Sequence, residues 1–119
     1  MIDVAISLLQ VKTRIRMAHT CIALKKPQEL RTSAWIARYQ LVQLKDYLDP
    51  ADYHLKSAEV WYQLAASIKA MNKLDQAERE IHCALRYDGD NIRYTAEREV
   101  ILDLIQSTGI SSRWKSGRH

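Results

Sequence analysis

The chain has 119 residues, 47% hydrophobic and 27% charged, the balance of one soluble globular domain with a core large enough to fold without staples. Three glycines and two prolines are too few for the many turns of an all-β chain, so an all-α fold with long helices and short connections is expected. The net charge of +4 is uneven: residues 1–48 carry a net +5, residues 49–106 a net −4 and residues 107–119 a net +3.

In chain order, the first helix is predicted from residue 2 to about 24. Val4, Leu8, Val11, Ile15, Ala18 and Ile22 form an unbroken apolar stripe at helical spacing. Asp3 lies near its start, and Lys25 and Lys26 lie past its end, each where its charge suits the helix dipole. Pro27 stops this helix and opens the next, which is expected to run to Leu48. Leu30, Ala34, Ala37, Leu41, Leu44 and Leu48 repeat the same stepping, so the two helices should form an antiparallel hairpin. Trp35, Ile36, Tyr39 and Val42 widen the apolar face of the second helix beyond what the hairpin needs.

Asp49-Pro50 interrupts the pattern, and the stretch from Asp49 to Ser57 reads as a linker, with Ser57 as an N-cap. A third helix is predicted from about Ala58 to Met71 and a fourth from Leu74 to Tyr87, separated by a turn at Met71-Asn72-Lys73. Asp88-Gly89-Asp90-Asn91 is a stop-and-restart signal: Gly89 supplies a left-handed residue, and Asp90 or Asn91 caps the fifth helix. That helix is expected over residues 92–106, with Ile92, Ala96, Val100, Ile101, Leu104 and Ile105 as its apolar set. The remainder, 107–119, is polar and basic without periodicity and reads as a flexible tail carrying Trp114. The domain expectation is therefore one helical unit over 1–106: an N-terminal hairpin (1–48), a central hairpin (58–91) and a capping helix (92–106).

The stretch 58–91 resembles the tetratricopeptide repeat. That repeat spans 34 residues, with W-x2-L-G-x2-Y in its first helix and A-x3-F-x2-A in its second. Trp61, Leu64, Ala65 and Ile68 fall on the first pattern; Ala77, Ile81 and Ala84 fall on the second. Ala65, Ile68 and Ile81 replace the usual glycine, tyrosine and phenylalanine, and the N-terminal hairpin lacks the motif. The resemblance implies hairpins stacked as a short right-handed solenoid of about five helices. It also implies a groove, lined by the first helices, that binds peptide or helical segments of other proteins. On the matching positions that lining is Glu59, Tyr62, Gln63, Ala66 and Lys69.

No phosphate loop, nucleophile elbow or zinc-protease motif is present, and the four histidines are dispersed, so neither an enzyme nor a cofactor or metal site is expected. Cys21 and Cys83 sit in apolar stripes as small hydrophobes, which suits a reducing, cytoplasmic setting. The N-terminal segment lacks the order of a signal peptide, and no stretch reaches the length of a membrane span. The leading expectation is a non-catalytic protein–protein interaction adaptor or chaperone-like accessory protein. It binds a partner's peptide or helix, or self-associates through the apolar-rich first two helices. The alternative is a nucleic-acid-binding accessory protein, with Lys12, Arg16, Lys25, Lys26 and Arg31 as the anion contacts together with the basic tail. Solution mass across dilution and salt-dependent nucleic-acid binding discriminate the two.

Overall fold

The computed structural model describes residues 3–108. They form five α-helices joined by short connections, with no strand among the described residues: α1 (Val4–Ala23), α2 (Pro27–Leu44), α3 (Pro50–Ala70), α4 (Leu74–Tyr87) and α5 (Ile92–Thr108). The fold is all-α. Each helix packs on the next, α1 also meets α3, and α3 also meets α5. The tail expected over 107–119 lies outside the described residues except for Ser107 and Thr108, which belong to the last turn of α5.

Small residues set how closely the helices approach. Ala18, Ala34 and Ala37 are wholly buried in the first hairpin, as are Ala65, Ala77 and Ala84 in the second. Larger side chains fill around them. Val11, Leu41, Leu44, Val60 and Leu64 make one cluster between α1, α2 and α3. Ile68, Leu74, Ile81, Tyr94, Ile101 and Ile105 make another between α3, α4 and α5. Burial of each such aliphatic side chain contributes about 1.5–3 kcal/mol relative to exposure.

Two helix ends are built alike. At the end of α1, the Lys26 N–H donates to the Cys21 carbonyl and the Lys25 N–H to that of Ile22. At the end of α3, the Lys73 N–H donates to the Ile68 carbonyl and the Asn72 N–H to that of Lys69. Both are Schellman closures, and the residue after each cap is left-handed: Lys25 at φ 56° and Asn72 at φ 63°. Asn tolerates this conformation; Lys has no such excuse.

Five expectations are corrected. The stretch 49–57 is not a linker: Pro50 occupies the first turn of α3, where its missing N–H costs nothing, and the helix runs unbroken from there. Ser57 is therefore buried within α3 and caps nothing. The second helix ends at Leu44 and tightens into a 3₁₀ turn over Lys45–Tyr47 before Leu48 turns extended. Gly89 is not left-handed; its requirement is space, since a Cβ there would lie 3.2 Å from the Leu85 carbonyl oxygen. Asn91 caps α5, its Oδ1 accepting from the N–H groups of Arg93 (2.9 Å) and Tyr94 (3.4 Å). The core face of α5 is Tyr94, Ile101 and Ile105, whereas Ile92, Ala96, Val100 and Leu104 point outward.

A buried polar joint ties α2, α3 and α4 together. Arg31 makes a two-pronged pair with Glu80, Nη1 to Oε1 at 3.2 Å and Nη2 to Oε2 at 2.9 Å. Its Nη1 also donates to the Leu64 carbonyl (3.2 Å) and to Ser67 Oγ (3.1 Å). Both side chains are largely out of solvent. On the neighbouring face Arg38 stands 4.8 Å over the Trp61 ring, which meets Trp35 edge-on.

Candidate partner-binding cleft

A cleft of about 430 Å³ opens where the α1–α2 turn faces α3 and α5. The turn supplies Lys25, Lys26 and Pro27, and its flanking helices supply Cys21, Ile22 and Leu30. The other wall is Tyr62, Ala66, Lys69 and Ala70 of α3, with Glu97 of α5 at the far side. The floor is apolar because Ile22, Leu30 and Ala66 belong to the small core cluster around Ala18. The Schellman closure fixes the position of Lys25 and Lys26 at the rim.

The charges are unequal in availability. Lys69 Nζ lies 2.9 Å from Glu97 Oε1, so that cation and the carboxylate lining the cleft offset each other's charge, while Glu97 Oε2 is buried with no hydrogen-bond partner. Lys25 and Lys26 have no ion pair among the described residues and are exposed. The cleft thus presents two uncompensated cations above an apolar floor. Tyr62 stacks on Tyr94 with centroids 5.2 Å apart, and the Arg93 guanidinium lies 5.0 Å over its ring. Burial, and then the nearby Glu97 carboxylate, push the Tyr62 phenol above its usual range against the pull of Arg93, so it stays a neutral donor at physiological pH.

The structure sorts the expected groove residues. Tyr62, Ala66 and Lys69 line the cleft. Gln63 does not: it is fully buried and donates through Nε2 to the Ile15 carbonyl (2.9 Å), because α1 covers that side of α3. Glu59 lies in the adjoining layer, where its carboxylate accepts from the Tyr94 hydroxyl (2.9 Å) and pairs with Arg93. The expected anion contacts also divide. Lys25 and Lys26 join the cleft; Lys12 and Arg16 lie exposed on α1 away from it. Arg31 is corrected: its guanidinium is committed to Glu80 and to α3, leaving it unavailable to a phosphate. Residues Cys21, Ile22, Leu30 and Glu97 of the cleft were not singled out from sequence. The spacing of Glu97 from Arg93, four residues before it, points to the wrong partner: Glu97 pairs with Lys69, and Arg93 with Glu59.

The two cysteines are half-buried free thiols, and burial raises the Cys83 pKa above its usual value. No helix among the described residues is long and apolar enough to cross a membrane. Fold and cleft together define an all-α protein with a basic-rimmed, apolar-floored groove. No protein-family model, curated protein or solved structure matches the chain.

Proposed function

We propose that this chain is a non-catalytic adaptor or chaperone-like accessory protein of tetratricopeptide-repeat type, acting in the cytoplasm. It holds an acidic segment of a partner protein in the cleft between the α1–α2 turn, α3 and α5. The observation that carries the reading is the convergence of unpaired Lys25 and Lys26 on an apolar floor of Ile22, Leu30 and Ala66. Such a site attracts a segment with a carboxylate next to an aliphatic or aromatic side chain. Electrostatics steer the approach, and the floor supplies the contact area. The repeat-like reading draws support from the matched Schellman turns of the two hairpins and from the buried alanines at equivalent crossings.

An array of short peptides differing in charge and apolar content tests this. Acidic–apolar peptides should bind, and charge-reversed ones should not. K25E/K26E should remove the binding while leaving helicity unchanged, because both side chains are exposed. Binding indifferent to peptide charge, or retained by K25E/K26E, would overturn the proposal.

A further inference from the structure

The two ends of the helical stack carry faces that nothing among the described residues covers. At one end, α1 has a second apolar stripe besides its core stripe. Ile6 is 55% exposed, Leu9 64% and Met17 52%, at helical spacing with Thr13 between the last two. Shallow clefts of about 320 Å³ and 270 Å³ run along this stripe and then between α1 and α2, sharing Arg14 and Met17. Ser33 closes the floor by donating to the Arg14 carbonyl (3.0 Å), and Arg14 Nε is buried with no hydrogen-bond partner. Glu29 is the one carboxylate lining these clefts; Lys12 and Arg16 stand on the same helix, exposed.

At the other end, α5 presents Ile92, Ala96, Val100 and Leu104 in steps of four. Ile92 is 84% exposed, Val100 45% and Leu104 39%. Asp103 and Glu99 flank the stripe and are exposed, Glu99 lying 3.5 Å from the guanidinium of its neighbour Arg98. One face is thus a groove with basic surroundings and the other a ridge with an acidic flank. Leu9, Thr13 and Met17 on the one and Ile92 to Leu104 on the other form i, i+4 rows, the rows that interdigitate when helices cross at the commonest angle. The charge imbalance of the whole chain has the same sense, +5 over residues 1–48 and −4 over residues 49–106. The faces belong to helices at opposite ends of the stack, where α1 packs on α2 and α3 and α5 packs on α4 and α3.

We infer that the occupant of the α1–α2 groove is α5 of a second copy of this chain. The contact is heterologous, head to tail, so it extends the stack or closes a ring. Within one chain α5 already rides on the α3–α4 pair, and the proposed contact seats its outer side on the α1–α2 pair of the next. The basic-rimmed cleft is not used, so this contact and partner binding coexist.

The test is sedimentation of the full chain over a dilution series into the millimolar range, at low and high salt. Weight-average mass should climb with concentration and fall back with salt. L9E/M17E blocks the groove, and V100E/L104E blocks the ridge; all four side chains are exposed, so helicity should be kept. Each variant alone should stay monomeric at every concentration. Their equimolar mixture should yield a species of two chains and nothing larger, since one intact groove meets one intact ridge. E99K/D103K leaves the apolar ridge in place and should weaken association of the otherwise unaltered chain. The inference is overturned by a wild-type chain that remains monomeric throughout. It is equally overturned if only the groove variant loses association, which indicates a groove-to-groove contact, or if the two monomeric variants fail to pair.

Discussion

Removing the Glu80 carboxylate should be the most damaging single change to this fold outside its apolar core. The Arg31 guanidinium is held by that carboxylate through two contacts, of 2.9 and 3.2 Å, in a joint where the two side chains are only 16% and 8% exposed. Glu80→Ala leaves the cation among neutral partners, the Leu64 carbonyl and the Ser67 hydroxyl. Breaking one side of a buried pair costs about 3–5 kcal/mol, and the two surviving acceptors place this case near the lower end. Glu80→Gln keeps the shape and loses the charge, so about 2 kcal/mol is expected. Replacing both partners by apolar residues of similar volume, R31M/E80L, should return to within about 1 kcal/mol of wild type, because the desolvation penalty goes with the pair. Urea unfolding measures all four chains. With a slope of roughly 1–2 kcal/mol/M, Glu80→Ala moves the midpoint by about 2 M. A loss below about 1 kcal/mol for Glu80→Ala would refute the reasoning, as would an R31M/E80L chain as unstable as Glu80→Ala.

Lys25→Gly should stabilise the fold by about 1 kcal/mol in the same assay, because Lys25 holds φ 56° and glycine adopts that conformation without a Cβ clash. The same change should weaken binding of acidic peptides, so stability and affinity move in opposite directions. Asn91→Ala removes the side-chain acceptor for two α5 N–H groups and should cost about 1 kcal/mol, read as faster amide exchange in the first turn of α5. Alkaline pH should destabilise the protein through Tyr94. Burial first, then the Glu59 carboxylate and its hydrogen bond, raise that phenol above its ordinary pKa of about 10. The unfolded chain then loses its proton before the folded one does, so the stabilisation is complete below about pH 10 and declines above it. Tyr94→Phe should flatten, without abolishing, the fall in thermal midpoint between about pH 9 and 11, since Tyr62 and Tyr87 are raised as well.

The helices were legible because their inward stripes obey one period. Val11, Ala18 and Leu41 were placed in the core by spacing and Ile81 by the repeat register, and all are buried. The α3–α4 turn was legible because Asn72 is a residue that accepts a left-handed backbone. The matching turn at Lys25 was not, because nothing in a lysine announces that conformation. Pro50 misled in a physical way: the residue before it is forced out of the helical region, which looks like an interruption, yet proline is well suited to the first turn that follows. The amphipathic pattern of α5 also misled. Its longest apolar row, Ile92 to Leu104, points outward, and the core is reached through Tyr94, which periodicity ranks below aliphatic residues.

The cleft was half legible. Tyr62 and Lys69 followed from the repeat register, and Lys25 and Lys26 followed from charge, but as members of two unrelated sets. Their meeting depends on how the α1–α2 turn folds over α3. Arg31 and Glu80 are remote in sequence and their charges are common surface types, so their pairing was invisible without the packing.

Capture of an acidic partner segment by the cleft at the α1–α2 turn should show at the residues that line it. The most direct measurement is backbone and lysine-side-chain chemical-shift mapping of the full chain, titrated with a short acidic–apolar peptide and with its charge-reversed counterpart. Saturable shifts confined to Cys21–Leu30, Tyr62–Ala70 and the Glu97 turn, seen with the acidic peptide only, are the predicted result. Shifts centred on Lys12 and Arg16, equal responses to both peptides, or no saturable shift would contradict it.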